Sequence, residues 1–130
     1  MKLRVKALSS SVIAGAAAVV FAASPASAGT DVYVNTSDPW NAAAAGFAAN
    51  DELFTVCDNR GDGMRASGHI GWLSPQMSYW VPLQDANGAH NSCARKNLDI
   101  AEGTTVTVQI CIRNGANGED RYCETKRGKA

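Results

Sequence analysis

The stretch that decides the fold is residues 101–113, Ala-Glu-Gly-Thr-Thr-Val-Thr-Val-Gln-Ile-Cys-Ile-Arg. After the turn signal Glu102-Gly103 it alternates without a break, and its aliphatic residues fall on one face: Val106, Val108, Ile110 and Ile112. A period of two in β-branched residues is typical of a half-buried β-strand. We therefore expect residues 105–113 to form the central strand of a small antiparallel β domain.

Further strand patterns with turn signals between them lie on both sides of this stretch. They cover residues 31–34, 53–57, 65–73, 77–83 and 121–126, with a short extended piece from Leu98 to Ile100. Pro82 predicts an edge position for its strand, because proline cannot donate to a ladder. Six or seven short strands without a long amphipathic helix predict an all-β fold, a small antiparallel β-sandwich that is immunoglobulin-like in outline.

Residues 38–48 fit either a helix or a strand. Ser37-Asp38-Pro39-Trp40 is typical of a helix start, with the proline at the first helical position. Gly46 interrupts such a helix, and a hairpin of Ala44–Ala48 with Leu53–Asp58 accounts for the stretch equally well. Propensity favours the helix and the all-β context favours the hairpin, and we expect the hairpin.

The start of the chain predicts export. Basic residues, an apolar run and a small-x-small motif follow one another there: Lys2, Arg4 and Lys6, then Val12–Ala23, then Ala26-Ser27-Ala28. This order is typical of a secretory signal peptide, cleaved here after Ala28. The apolar run is shorter than the roughly 20 residues that span a bilayer. We expect residues 29–130 to be a single secreted β domain without a membrane anchor.

The charge balance argues against nucleic acid as a partner. The chain holds 12 basic and 12 acidic residues, and three of the basic ones precede the cleavage site. Nine basic and twelve acidic residues remain, a net charge of −3 for the secreted part. A slightly acidic chain without a basic run is not typical of a nucleic-acid-binding protein.

Four cysteines follow the cleavage site: Cys57, Cys93, Cys111 and Cys123. An even count in a small exported domain predicts two disulfides. No C-x-x-C pair is present, so the pattern does not favour zinc, and we expect neither a metal nor another cofactor. Four cysteines allow three connectivities.

The loop between the last two cysteines favours one of these connectivities. Cys111 and Cys123 flank a Gly/Asn-rich loop, and a hairpin centred near Asn117 places them opposite each other, which leaves Cys57 for Cys93. The same register sets Arg113 opposite Arg121, a pair of like charges that is unfavourable across a sheet. The carboxylate of Glu119 or Asp120 offers to reduce the repulsion between the two arginines.

Three segments of the chain resemble known sequence patterns. Residues 54–63 resemble an "LTVCDxxxDG" pattern, residues 85–93 a "DxNGxxxxC" pattern and residues 98–104 an "LxIAEGT" pattern. In this order after a signal peptide, they are similar to small secreted proteins of actinobacteria. The resemblance implies a two-disulfide secreted β domain and supplies no activity.

The segment Asp58-Asn59-Arg60-Gly61-Asp62-Gly63 partly matches two ligand-binding motifs. As a calcium loop it fails at the third position, Arg60, and at the twelfth, His69, where oxygen ligands are needed. Arg60-Gly61-Asp62 is an integrin-binding tripeptide, but a match of three residues has no supporting context here. We interpret the segment as a turn between strands.

The alternation along each strand predicts which aromatic residues are buried and which are exposed. Trp72 and Tyr79 share the parity of core residues and are expected to pack inside, whereas Trp80 is expected to be more exposed than Trp72. An exposed tryptophan on an edge strand can stack on a sugar or anchor a protein interface. The candidate interaction surface is Trp80 with Asn59, Arg60 and Asp62.

No catalytic motif is present. His69, expected to face solvent, and His90 are the two histidines, and neither has a convincing serine or cysteine nucleophile nearby in sequence; G-x-S-x-G and H-E-x-x-H are absent. We expect a monomeric, non-enzymatic binding module for an unknown extracellular protein or glycan. One alternative is an inhibitor that inserts the loop 59–63 into a secreted hydrolase, and another is a small secreted enzyme.

Overall fold

The computed structural model describes residues 29–89 and 92–130. Within these ranges the chain forms β-strands and no helix: β1 Val32–Asn35, β2 Ala43–Ala48, β3 Leu53–Asp58, β4 Arg65–Leu73, β5 Ser78–Asp85, β6 Ala94–Asn97, β7 Thr105–Arg113 and β8 Asp120–Lys129. None of the described residues belongs to a helix able to cross a lipid bilayer. The predicted signal peptide, residues 1–28, and His90 lie outside the described residues.

The strands form two antiparallel sheets of four, and the predicted all-β sandwich is confirmed. The first sheet has the order β1-β2-β3-β6 and the second the order β5-β4-β7-β8. In an immunoglobulin sandwich, strand B lies beside E in one sheet, and C, F and G are neighbours in the other. Here β3 lies beside β6, and β4, β7 and β8 are neighbours, so the connectivity has that outline. Strand β2 lies beside β3 as strand A lies beside B, and β1 extends the first sheet by one further strand.

The core lies between the two sheets. Val106, Val108 and Ile110 of β7 are fully buried, as the alternation predicted, and Phe47 and Phe54 face them from the first sheet. Burial of one such side chain contributes about 1.5–3 kcal/mol to folding. One face of the second sheet therefore packs on the core, and its other face lies on the outside of the sandwich.

The β2–β3 hairpin confirms the preferred interpretation of residues 43–58. Ala44 pairs with Cys57, and Ala48 pairs with Leu53. Asp38 directs the chain into the hairpin, because its carboxylate accepts the backbone N–H groups of Trp40 and Ala42, both at 3.1 Å. Burial alone would raise the pKa of Asp38, but these bonds and one from the Thr36 hydroxyl keep that pKa below its usual value. The helix-capping chemistry of Asp38 serves a turn instead.

Strand β5 differs from its predicted bounds. It covers Ser78–Asp85 rather than residues 77–83. It runs on to Asp85 because that residue pairs with Ala66 of β4, and the Asp85 carboxylate accepts the backbone N–H of Asp58 at 2.9 Å. The edge position predicted from Pro82 is confirmed, since β5 is the outermost strand of its sheet.

The extended piece predicted from Leu98 to Ile100 is not the strand. The strand is β6, Ala94–Asn97, and it pairs with β3. The backbone N–H of Leu98 donates to the carbonyl of Glu52 at 2.9 Å, and that of Ile100 donates to the carboxylate of the same glutamate. Both backbone donors are therefore used outside a sheet ladder.

Both predicted disulfides are confirmed, Cys57–Cys93 and Cys111–Cys123. The first joins β3 to the residue before β6, and the second joins β7 to β8, so each links neighbours within one sheet. In the chain-entropy model, loops of these lengths contribute about 3 to 4 kcal/mol each.

The predicted register around the second disulfide is wrong by one residue. A bulge lies between Ile110 and Ile112, so that Arg113 pairs with Asp120 rather than with Arg121. The Arg113 guanidinium donates to both carboxylate oxygens of Asp120, at 2.7 and 2.9 Å. Strand β8 is also longer than the predicted residues 121–126, because its pairing with β7 continues to Lys129.

Candidate functional site

The outer face of the second sheet carries a row of four cross-strand neighbours. Trp80 of β5 pairs with Gly71 of β4, Gly71 with Thr107 of β7, and Thr107 with Arg127 of β8. Neighbouring strands lie about 4.8 Å apart, so the Cα atoms of Trp80 and Arg127 are separated by about 14 Å. One row therefore joins an aromatic ring on one edge strand to a cation on the other.

The indole of Trp80 lies over the backbone of Gly71. A Cβ atom added to Gly71 would lie 2.4 Å from Trp80 Cε3 and 2.8 Å from Cζ3, which no real contact allows. The ring can approach the sheet this closely only because residue 71 has no side chain. Trp80 nevertheless remains 51% exposed, and Trp72 is less exposed, as predicted.

His69 supports the indole from the next row of the sheet. The two rings are stacked with centroids 5.2 Å apart and planes 8° apart. Burial lowers the pKa of His69, and the nearby Asp120 carboxylate opposes that shift only in part. The prediction that His69 faces solvent is therefore wrong in degree: the imidazole is on the outer face but half-buried, and its Nδ1 has no hydrogen-bond partner among the described residues.

A groove with a volume of about 420 Å³ opens beside this row. It is lined by the rings of Trp72, Tyr79 and Trp80, by four hydroxyl side chains and by Arg127. Trp72 and Tyr79 stack with centroids 4.7 Å apart. Trp72 packs partly against the core as expected, but Tyr79 is 37% exposed, and its predicted inside position is wrong because the rim of the sandwich leaves it open.

Exposed apolar side chains concentrate on the β4–β5 hairpin that forms one wall of the groove. We call Leu73, Met77, Tyr79 and Trp80 the hairpin patch. Leu73 is 73% exposed and Met77 is 55% exposed. The hairpin itself is well defined, because Ser74 and Met77 close its turn by backbone and hydroxyl hydrogen bonds. The patch is therefore an apolar surface held on an ordered hairpin.

The loop of Asn59, Arg60 and Asp62 uses its polar groups internally. The Arg60 guanidinium lies 3.9 Å from the ring centre of Trp40 and 4.0 Å from the carboxylate of Asp62. Asp62 also accepts the backbone N–H of Met64 at 3.0 Å. Stacking on tryptophan is a favourable environment for a guanidinium. The arginine of the Arg-Gly-Asp tripeptide is thus held against the protein's own surface.

The structure does not bring the predicted interaction residues together. The loop 59–63 leads into β4 at Arg65, whereas Trp80 pairs with Gly71, six residues further along the same strand. At about 3.3 Å per residue this is a separation of about 20 Å. Trp80 and the loop are therefore two sites at opposite ends of β4.

Among the described residues, the carboxyl group whose pKa is raised lies at the loop end of β4. Burial raises the pKa of Asp58, and repulsion by Asp62 and Asp85 acts in the same direction. Asp58 accepts the backbone N–H of Arg60, and Asp85 accepts those of Asp58 and Asn87. Both buried carboxylates organise turns, and neither lines the groove. The part of the chain that the structure describes contains no cluster of three or more side chains suited to a metal.

No protein-family model, curated protein or solved structure matches this chain. The resemblance to small secreted actinobacterial proteins stays a prediction.

Sequence reasoning singled out Trp80 but missed the residues around it. The sequence does indicate two of them, since the alternation of β4 places His69 and Gly71 on its outer face. Arg127 could not be found in this way, because its place in the row depends on the pairing of β7 with β8 through Thr107.

Proposed function

We propose that the chain is a secreted binding module that engages an extracellular partner through the groove and the hairpin patch. The observation that carries the proposal is the position of Trp80, whose indole lies against Gly71 and is still 51% exposed. Tryptophan and tyrosine held in this way are typical anchors of binding interfaces. Isolated exposed apolar residues are ordinary, but a contiguous apolar patch on a folded surface is typical of an interaction site.

Two features support secretion. The described residues contain two disulfides, and such bonds form and persist in oxidising, extracellular environments. The signal-peptide pattern of residues 1–28 agrees with this location.

The chemistry of the groove favours binding over catalysis. The residues that line it supply aromatic rings, the Leu73 side chain, hydroxyl groups and one guanidinium, and they include neither a carboxylate nor an imidazole. Such a lining offers no general base for proton transfer. The inhibitor alternative is less well supported, because the Arg60 side chain of the loop that would be inserted is stacked on Trp40.

The test compares two exposed tryptophans. The secreted protein is immobilised and incubated with culture supernatant and with a cell-wall fraction, and retained material is quantified. We expect Trp80→Ala to reduce specific retention at least about tenfold, as for a central interface residue. Trp40→Ala is the matched control, because Trp40 is also exposed but lies beside the loop 59–63.

Equal loss in the two variants, or full retention by Trp80→Ala, would contradict the proposed binding surface. Thermal unfolding of both variants establishes that each is folded at the assay temperature.

A further inference from the structure

We infer that the partner is a protein, and that it places a bulky apolar side chain in the groove with a carboxylate beside Arg127. This inference rests on the proposed function and specifies the chemistry of the partner at the same site.

The apolar part of the inference follows from the walls of the groove. The apolar residues that line it are Trp72, Leu73, Tyr79 and Trp80, and Met77 extends the apolar surface onto the hairpin. Filling the groove would remove exposed parts of these side chains from water, and such burial is the main favourable contribution to protein association. Tyrosine, tryptophan, methionine and arginine are also the residues enriched at protein interfaces.

The acidic part follows from the cations of the outer face. Arg113 is engaged by both carboxylate oxygens of Asp120, and Arg65 donates to the amide oxygen of Gln84 at 3.2 Å. Arg127 lines the groove, and within residues 29–89 and 92–130 it forms no ion pair. Arg127 places a local positive charge beside an apolar groove, and this charge is complementary to a carboxylate on the partner.

The hairpin patch favours a protein over a glycan. A sugar ring stacks on an aromatic face, but its hydroxyl groups also need hydrogen-bond partners around that face. The groove supplies such partners in its four hydroxyl side chains and Arg127, whereas Leu73 and Met77, the most exposed members of the hairpin patch, supply none. A partner side chain without polar groups, flanked by a carboxylate, satisfies both the apolar wall and Arg127.

The experiment uses a phage-displayed library of random peptides, selected on the full secreted domain and counter-selected on its Trp80→Ala variant. We expect enriched peptides to contain Asp or Glu close to Phe, Trp, Leu or Met. Affinities of synthetic copies are then measured against three variants. Arg127→Glu should weaken binding at least about tenfold by charge repulsion. Arg95→Glu, the same charge change at an exposed position of β6 in the other sheet, should leave affinity within about twofold.

Leu73→Asp tests the apolar wall. The substitution lies outside the core, since Leu73 is the most exposed large apolar side chain among the described residues. It should also weaken binding of the acidic peptides at least about tenfold. Polygalacturonate and its methyl-esterified form serve as carbohydrate probes in the same assay.

Each outcome decides the inference. Enrichment of acidic-apolar peptides with loss on Arg127→Glu supports it. Enrichment without an acidic preference, equal loss on Arg95→Glu, or Trp80-dependent binding of a polygalacturonate with no peptide enriched overturns it. If none of the probes binds while retention from culture supernatant still depends on Trp80, the partner chemistry is wrong and the proposed function stands.

Discussion

Replacing Gly68 with Ala should destabilise the domain although it adds only one methyl group. Gly68 lies on the inner face of β4, and a Cβ atom there would stand 2.4 Å from Val56 Cγ2 and 3.2 Å from Phe54 Cζ. Val56 and Phe54 are fully buried in the opposite sheet. Carbon atoms in contact prefer about 3.5–4.0 Å, so the valine methyl must retreat by more than about 1 Å inside a close-packed core.

The size of the effect follows from two opposing contributions. Inserting a methyl group into a well-packed core costs about 1–3 kcal/mol. Removing glycine from the unfolded chain returns about 0.4–1 kcal/mol, because fewer unfolded conformations remain. Because the valine methyl must move by more than about 1 Å, we take the upper part of the first range, about 2–3 kcal/mol, and subtract about 1 kcal/mol, so that the free energy of unfolding should fall by about 1–2 kcal/mol. For a domain of this size, that corresponds to a decrease in Tm of roughly 5–15 °C.

Urea unfolding followed by tryptophan fluorescence measures this difference, with thermal unfolding as a second readout. Gly61→Ala is the control, since a Cβ at Gly61 would meet no atom within 4 Å. The control should change stability by no more than about 0.5 kcal/mol. If Gly68→Ala is as stable as the original protein, the two sheets are not packed as closely as the structure has them at this point.

Three further predictions concern the second sheet. Asp120→Asn should lower the free energy of unfolding by about 1 kcal/mol at neutral pH through loss of the paired bonds from Arg113. Those bonds lower the pKa of Asp120, so the difference between the proteins in urea unfolding should shrink as the pH falls below 3.8; a difference independent of pH would contradict this. Because burial lowers the pKa of His69, the unfolded chain takes up that proton more readily, and stability should decline as the pH falls through 6.5. His69→Gln should flatten this slope in calorimetric scans, and an unchanged slope would assign it to other groups. Replacing Cys111 and Cys123 together by Ala should cost about 3 kcal/mol in chemical denaturation, and a variant of unchanged stability would refute the contribution assigned to this bridge.

Long alternation made two strands predictable from the sequence. The bounds of β4, Arg65–Leu73, and the buried face of β7, Thr105–Arg113, match the expectation. Both strands are central in their sheet and each meets the core with one face, so an aliphatic or aromatic residue recurs at alternate positions, and in β7 burial alternates from Thr105 to Ile110. Shorter strands such as β6 carry too few residues for that period to be recognised.

The candidate site was less predictable because it depends on register between strands. Parity indicated that Trp80 is exposed, but not that Gly71 lies beneath its ring or that Arg127 ends the same row. Parity also placed Tyr79 inside, although burial requires that the opposite sheet extend over the residue as well. At the rim of the sandwich it does not, and the side chain lines the groove instead.

The β7–β8 bulge shows how local charge can decide a register that the cysteines leave partly open. The disulfide requires Cys111 to face Cys123, and a regular ladder from that point would set Arg113 against Arg121. In the structure one extra residue, Tyr122, is accommodated with a φ of 53°, a left-handed conformation that costs a non-glycine residue about 1 kcal/mol or more. The shift replaces a like-charge pair by the bidentate bond to Asp120, and the lost repulsion and the gained bonds act together against that cost. A strained backbone residue beside the bridge is thus the consequence of a charge pattern that the sequence already displays.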